Sequence, residues 1–344
     1  MMKWFKWLLF PISILFWIIT GLRNFFYDLN WLKSISFDIP IINVGNITVG
    51  GTGKTPHVLY IGNLLKSKFD IAFLSKGYKR ETRDFILVED SSTPKQVGDE
   101  PLMIKRNFAE NKVAVDHNRV NGVLQLMTNE ENIDCIIMDD AFQHRSIKAG
   151  LNILLIDFNR PLYKDYLLPI GYLRESSSNK KRADITIITK CPNNLSEAEA
   201  NIFIKKSGIK QQVYFSFLKY DGITLLGTNT SEKLTLLHGK KIILITGIAN
   251  QKPIIDLLNK NNCQVTNLCY QDHHTYTSQD VKKIIDTHHL QKDALLLTTE
   301  KDAQKLVEFE NLKGLPIYFL NLSIDFLWNK DKFDKKILTY VRGN

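Results

Sequence analysis

The sequence predicts an α/β fold, and three observations carry that prediction. From about residue 40 onward, short apolar runs alternate with polar stretches of helical periodicity. The apolar runs are rich in Ile and Val without strict in–out alternation, the pattern of strands covered by helices on both faces of a parallel sheet. The first run leads into a glycine-rich turn that opens a helix, "NVGNITVGGTGKTP" at 43–56. A length of 344 residues exceeds one ordinary core and favours two domains.

The N-terminal segment is read first. Trp7 to Thr20 is almost wholly apolar, flanked by Lys3, Lys6 and Arg23, with Trp4, Trp7, Trp17, Phe25, Phe26 and Trp31 around it. A spanning helix needs roughly 20 apolar residues, and this run is shorter and contains Pro11. No small-residue cleavage site of the A-x-A kind follows. Indole rings favour the headgroup zone and basic residues favour an anionic leaflet. Residues 1–32 therefore read as a membrane-anchor helix, interfacial or shallowly inserted. A buried core helix or a signal segment is the alternative.

The strands of the first domain, 33–212, fall at 39–45, 70–75, 112–116, 134–140, 151–157 and 183–190, with helical patterns between them at 57–68 and 101–107. At 212–226, "QVYFSFLKYDGITLL" reads as two strands about Asp221-Gly222, a hairpin signal. The junction is placed at 213–232, with a distant return strand allowed. A second α/β series follows over 233–344, with apolar runs at 240–250, 263–270, 293–303 and 315–325. "SSSNKKR" at 176–182 reads as the clearest flexible loop, and "THHL" at 287–290 as helix surface.

A net charge of +9 favours an anionic partner. No DNA- or RNA-binding motif is legible, so nucleic acid is set aside, and no protein partner is inferable. Cys135, Cys191, Cys263 and Cys269 form no C-x-x-C pair and no zinc spacing, and read as buried free thiols of a reducing compartment.

The chemistry-bearing residues begin at the glycine-rich turn. Gly53, Lys54 and Thr55 fit the G-x-x-x-x-G-K-[ST] pattern of a P-loop, with Thr48 in place of the first glycine and Gly50 and Gly51 restoring flexibility. Such a turn, comprising Thr48, Val49, Gly50, Gly51, Thr52, Gly53, Lys54 and Thr55, points backbone N–H groups and a helix N-terminus at a triphosphate. Lys54 then reaches the terminal phosphates, and Thr55 offers a hydroxyl to Mg²⁺. Val49 stands where a partitioning-type ATPase needs lysine, and neither "TKCP" nor "TEKD" matches a guanine reader, which weakens both readings and favours a kinase. "CIIMDD" ends a buried strand in Asp139 and Asp140, the usual position of a Mg²⁺ carboxylate. "QVGDEP" places Asp99 and Glu100 before a Pro-started helix, where Asp99 reads either as the base that takes a hydroxyl proton or as an N-cap. "YQDHHTYT" holds His273 and His274, with Asp272 able to orient one ring.

In order, "VGNITVGGTGKTP", "LSKGYKR", "VGDEP", "DHNR", "DDAFQHR", "LLPIGYLRE" and "DHHTYT" resemble the tetraacyldisaccharide 4′-kinase family over nearly the whole chain. The resemblance implies that ATP donates its γ-phosphate to the 4′-hydroxyl of an acylated glucosamine disaccharide 1-phosphate, the lipid A precursor. It implies a site at the cytoplasmic face of the bacterial inner membrane, so that membrane lipids are partners too. It also implies two α/β/α domains joined by a two-stranded linker. Asp99 is then the base, paired with His273 or His274. Asp139 and Asp140 serve Mg²⁺ with Thr55, Gln143 and Glu175. Tyr78, Arg80, Arg119, His144 and Arg174 line the acceptor or phosphate pocket. The chain departs from the family pattern at Lys76, where arginine is expected, and at Lys79 and Ala141, where glycine is expected. A membrane-attached nucleotide switch and a P-loop kinase of a soluble sugar or nucleoside are the competing readings.

Overall fold

The structure, a computed structural model, describes residues 9–343 apart from 130, 131, 229, 249, 273 and 292. Lys3, Lys6, Trp4 and Trp7 therefore lie outside the described residues. The chain divides into two compact units, one running to Leu218 and resuming at Ile324, the other Lys219–Ser323.

Helix α1, Phe10–Asp28, begins with Pro11 in its first turn, where a missing N–H breaks no helical bond. Its burial is inverted. Ser13 and Asn24 are its buried residues, whereas Ile12, Leu15, Trp17, Ile19, Leu22 and Phe25 are each at least half exposed. Ser13 and Asn24 lie eleven residues apart, close to three helical turns, and so share one face. Helix α1 is long and apolar enough to cross a membrane by length and composition, and only 11% of that stretch is buried. That does not fit a buried core helix and suggests membrane association.

The first unit is built on a sheet of β1 (Ile41–Gly45), β2 (Ile71–Ser75), β3 (Ile86–Leu87), β4 (Lys112–Val115), β5 (Cys135–Asp139), β6 (Leu151–Asp157), β7 (Ile185–Thr189) and the start of β8 (Gln212–Leu225). Its order is β8-β7-β6-β1-β5-β2-β4-β3, parallel except for β3. Adjacent residues feed opposite faces. Phe73 joins one apolar cluster while Ala72 and Leu74 join another, and Leu155 and Leu154 divide in the same way. This two-sided burial explains the missing alternation in the sequence. Each fully buried aliphatic side chain contributes roughly 1.5–3 kcal/mol. One face is covered by α2 (Lys54–Leu65), the short α3 (Pro94–Val97), α4 (Asp99–Asn107) and the C-terminal helix Lys330–Arg342. The other carries α5 (Arg119–Asn129) and α6 (Glu197–Ser207). Strand β1 is the switch point. The chain leaves it through α2 for β2 on the β5 side, and later lays β6, β7 and β8 on the other. Loops after the carboxyl ends of β1, β5 and β6 therefore crowd one edge, where open α/β sheets take their ligands.

The second unit has its own parallel sheet, ordered β11 (Gln264–Cys269), β10 (Lys241–Thr246), β12 (Leu295–Thr299), β13 (Ile317–Phe326). Helices α7 (Lys252–Lys260), α8 (Ser278–Leu290) and α9 (Glu300–Leu306) accompany it.

Several expectations need correction. The stretch 212–226 is not a hairpin but one continuous strand, β8, paired antiparallel with the short β9 (Ser231–Glu232). Gly222 serves close approach rather than a turn, because a Cβ there would lie 2.6 Å from the Glu232 carbonyl oxygen. Residues 176–182 are not a flexible loop. Ser177–Arg182 forms a 3₁₀ turn capped by Ser176, and its Asn179 and Arg182 both bind Glu175. Cys135 and Cys191 are buried, but Cys269 is exposed and Cys263 half-buried. Among the described strands β11 pairs only with β10, and an edge strand leaves side chains uncovered. On α8, His289 and Leu290 are exposed.

Candidate active site

Gly53 ends the glycine-rich turn and caps α2 with φ +86°, and Gly50 has φ +94°. Both values lie in the left-handed region that glycine enters without strain. A Cβ on Gly51 would meet nothing within 4 Å, so the turn leaves open space at its centre. The turn is anchored from outside. Val49 N donates to Tyr172 O (2.7 Å), and Arg174 N donates to Ile47 O (2.8 Å). Thr48 and Thr52 are buried, Thr52 Oγ1 accepting from Asn46 Nδ2 (2.7 Å) and its carbonyl from Thr189 Oγ1 (2.9 Å). Their side chains are thus structural, and the turn offers its backbone.

Three residues that sequence reasoning missed complete the support. Lys190 Nζ donates to Gly51 O and pairs with Asp157 Oδ2 (2.9 Å). Arg160 lies against Gly50 and over the Tyr172 ring, 5.4 Å from its centroid. The available signal was "LNILLID", a second apolar run ending in aspartate, of the same form as "CIIMDD". Beneath the turn, buried His57 is held between Gly53 O (2.6 Å) and Ser216 Oγ (2.9 Å). Burial lowers its pKa to about 4, so it stays neutral.

Register places Asp139 beside Val44, directly before the turn. Asp139 is buried, and its Oδ1 has no hydrogen-bond partner. Burial pushes its carboxyl up to about 7; Lys54 opposes this, and Asp140 and Glu100 add to it. Asp140 adopts φ +52°, a strained value of the kind found at functional sites. Arg174 Nη1 donates to both of its oxygens (3.0 and 3.1 Å), and Lys54 Nζ lies 3.7 Å from Oδ2. Burial alone would raise the Asp140 pKa, but Lys54 and then Arg174 outweigh it and hold the carboxyl below its ordinary value.

Behind this pair, Gln143 Oε1 accepts from Arg174 Nη1 (3.2 Å), while its Nε2 donates to Asn46 O and Glu175 Oε1 (both 2.8 Å). Glu175, expected among the Mg²⁺ ligands, is taken up otherwise. Gln143 and Arg182 (2.7 Å) bind Oε1, and Asn24 (3.1 Å) and Asn179 (2.7 Å) bind Oε2. Four donors thus fix the orientation of its two oxygens.

Further cations lie within electrostatic reach of the Asp139–Asp140 pair. Arg119 is buried, and its Nε and Nη2 lack partners while Nη1 donates to Asp116 O. Burial lowers its pKa to about 10 against the pull of Asp139, Asp140 and Asp116. His144 is held neutral, its pKa lowered to about 3 by burial and then by Arg119 and Lys76. Lys76 is lowered too, by burial and then Arg119. Arg80 instead binds its own loop, donating to the carbonyls of Arg83 and Asp84 (both 2.8 Å), and Tyr78 is exposed. Gly77 and Gly98 sit back to back, a Cβ on Gly98 falling 3.1 Å from Gly77 Cα, so the "LSKGYKR" and "VGDEP" loops touch. Asp99 is not the N-cap. Gly98 is, and Asp99 is the first helical residue of α4, which packs on α2.

In the second unit, His274 Nε2 pairs with Asp280 Oδ2 (3.0 Å), not with Asp272, and its ring stacks on Tyr270 at 4.7 Å. His273 lies outside the described residues.

The donor set fits a magnesium triphosphate. A partnerless buried carboxylate oxygen suits a divalent cation, and a glycine cradle with a lysine and a buried arginine with spare N–H groups suits phosphate.

The family model described as tetraacyldisaccharide-1-P 4′-kinase matches residues 5–342. The tetraacyldisaccharide 4′-kinase of Bacteroides fragilis strain YCH46 is 42% identical, over 98% of this chain and 94% of its own length. That of Flavobacterium johnsoniae is 39% identical, over 98% of this chain and 97% of its own. A crystal structure of LpxK from Aquifex aeolicus in complex with ATP superimposes with a TM-score of 0.79 at 26% identity, covering 98% of this chain and 99% of that one.

Proposed function

The chain belongs to the tetraacyldisaccharide-1-P 4′-kinase family, and on that premise we propose how its residues divide the work. It is an ATP-dependent kinase that phosphorylates a tetraacylated glucosamine disaccharide 1-phosphate in lipid A biosynthesis. The residue roles that follow rest on one observation above all: the partnerless Asp139 oxygen and the Asp140–Lys54–Arg174 cluster share one strand edge with the glycine turn.

The turn from Thr48 to Thr55 is the P-loop and cradles the triphosphate of ATP, Lys54 offsetting charge on its outer phosphates. Thr55, Asp139 and Asp140 would hold Mg²⁺, which would supply charge neutralisation to the triphosphate. Gln143 and Glu175 set the frame of that site. Asp99 takes the proton of the 4′-hydroxyl as its oxygen bonds to the γ-phosphorus, and the bond from that phosphorus to the bridging oxygen of ADP breaks. Arg119, with Lys76, His144 and Tyr78, faces the acceptor side, where the acceptor's own phosphate is anionic, and Arg80 shapes the loop that carries Tyr78. His274, oriented by Asp280, is assigned to the reaction by the family resemblance. The outward apolar face of α1 seats the enzyme at the cytoplasmic face of the inner membrane, in reach of an acceptor whose acyl chains stay in lipid.

The test is acceptor dependence. ADP release with the purified tetraacyldisaccharide 1-phosphate should be matched by phosphorylated product and require Mg²⁺. ATP turnover of equal rate without the acceptor would contradict this division of roles.

A further inference from the structure

Helix α1 presents lipid-compatible side chains outward but buries a single amide at its C-terminal end, and that amide is wired into the carboxylate cluster. Asn24 is 7% exposed on a helix whose neighbours at positions 22, 23 and 25 are exposed. Its Nδ2 donates to Glu175 Oε2 (3.1 Å), its Oδ1 accepts from Arg182 Nη1 (3.4 Å), and its backbone carbonyl accepts from Arg145 Nη1 (2.7 Å). The same helix end is held twice more, by Arg145 Nη2 on Asp28 Oδ1 (2.7 Å) and by Arg23 Nη2 on the Gln143 carbonyl (2.9 Å). From Glu175 the chain of bonds is unbroken: Gln143 Nε2 to Glu175, Arg174 Nη1 to Gln143 Oε1, Arg174 to Asp140, and Asp140 beside Lys54.

We propose that Asn24 is a positioning residue that ties the seat of α1 to the conformation of Asp140. The proposal rests on the reading above, in which α1 lies in lipid and Asp140 serves the cation. A buried amide between a carboxylate and a guanidinium has one good orientation, because its N–H₂ must face the acid and its oxygen the base. A shift of α1 therefore reaches Glu175 directly. Glu175 fixes the rotamer of Gln143, and Gln143 shares Arg174 with Asp140. Polar partners behind a metal carboxylate typically tune its affinity by tenfold or more. A helix bound only for anchorage has no need of a buried polar seam, since apolar packing would hold it without the cost of dehydrating an amide.

The experiment uses the full-length protein and two readouts, Mn²⁺ binding in the presence of ADP by electron paramagnetic resonance, and flotation with vesicles of phosphatidylethanolamine and phosphatidylglycerol. Asn24→Leu, which keeps α1 apolar, should weaken Mn²⁺ binding about tenfold while flotation is retained. Asn24→Asp is isosteric and sets a second negative charge against Glu175, so it should weaken Mn²⁺ binding at least as much even if the leucine variant folds poorly. Glu175→Gln should weaken it similarly, and the Asn24→Leu, Glu175→Gln double variant should be no worse than Glu175→Gln alone. Mn²⁺ affinity within twofold of wild type in both Asn24 variants, or losses that multiply in the double variant, would overturn the proposal. Wild-type protein that fails to float would overturn the lipid seat alone, because the Mn²⁺ titration reads the coupling in its absence.

Discussion

The two units each carry an aspartate just beyond a central parallel strand, and they use it in opposite ways. After β12, Asp302 is fully buried, and its Oδ2 accepts from Gly247 N (2.9 Å) and from Thr299 Oγ1 (2.7 Å), the residue that caps α9. Its Oδ2 is taken by the local backbone and the cap, while its Oδ1, like that of Asp139, has no hydrogen-bond partner among the described residues. After β5, Asp140 is turned into the left-handed region and is bound by Arg174 and Lys54, and Asp139 beside it keeps a partnerless oxygen. The same kind of sheet edge carries a capped aspartate in one unit and a cation-bound carboxylate pair in the other. The difference lies in what holds the carboxylate: a backbone N–H and a cap hydroxyl at Asp302, an arginine and a lysine at Asp140.

This contrast can be broken by substitution. The largest effect is expected from Lys54→Ala, which removes the cation from the reactive edge. Phosphoryl transfer should fall about a thousandfold with an unchanged thermal midpoint, read by product formation and by calorimetry. Retained transfer would remove the cluster from the reaction. Next is His57, the neutral support under the turn. Its folded pKa of about 4 lies below its unfolded value, so the folded state binds fewer protons between those values. Stability is then full above pH ~6.5 and falls as the pH drops toward 4, by about 2–3 kcal/mol. The acid loss in denaturant titrations should be shallower by that amount in His57→Gln, and identical slopes would contradict it. Asp302→Ala, the matching change at the capped aspartate, should cost about 2 kcal/mol of stability and leave kcat within a few-fold. A large kcat loss without destabilisation would erase the contrast. The smallest effect concerns Lys79, which adopts φ +63° where the family resemblance expects glycine. Lys79→Gly should raise stability by about 1 kcal/mol, checked by the same calorimetry.

Much of this was legible in the sequence because the signals are local. Ile- and Val-rich runs located the strands, and "GKT" after a strand located the turn that opens α2. The carboxylate pair was legible because an apolar run ended in two aspartates. What was not legible depends on contacts distant in sequence. The sequence gives no sign that Glu175 is held by donors from positions 24, 143, 179 and 182. Asp221-Gly222 reads as a turn because a glycine needed for close strand approach looks like one needed for positive φ. Asp99 reads as a cap because the preceding glycine carries no side-chain signal for its capping role.

The central claim is that this edge transfers phosphate with Asp99 as the proton acceptor. It is tested most directly in a single turnover of γ-labelled ATP, with Mg²⁺ and the tetraacyldisaccharide 1-phosphate, on Asp99→Ala beside wild type. The account predicts that the variant binds nucleotide normally while label appears in the lipid about a hundredfold more slowly or worse. Label transfer at the wild-type rate would contradict it.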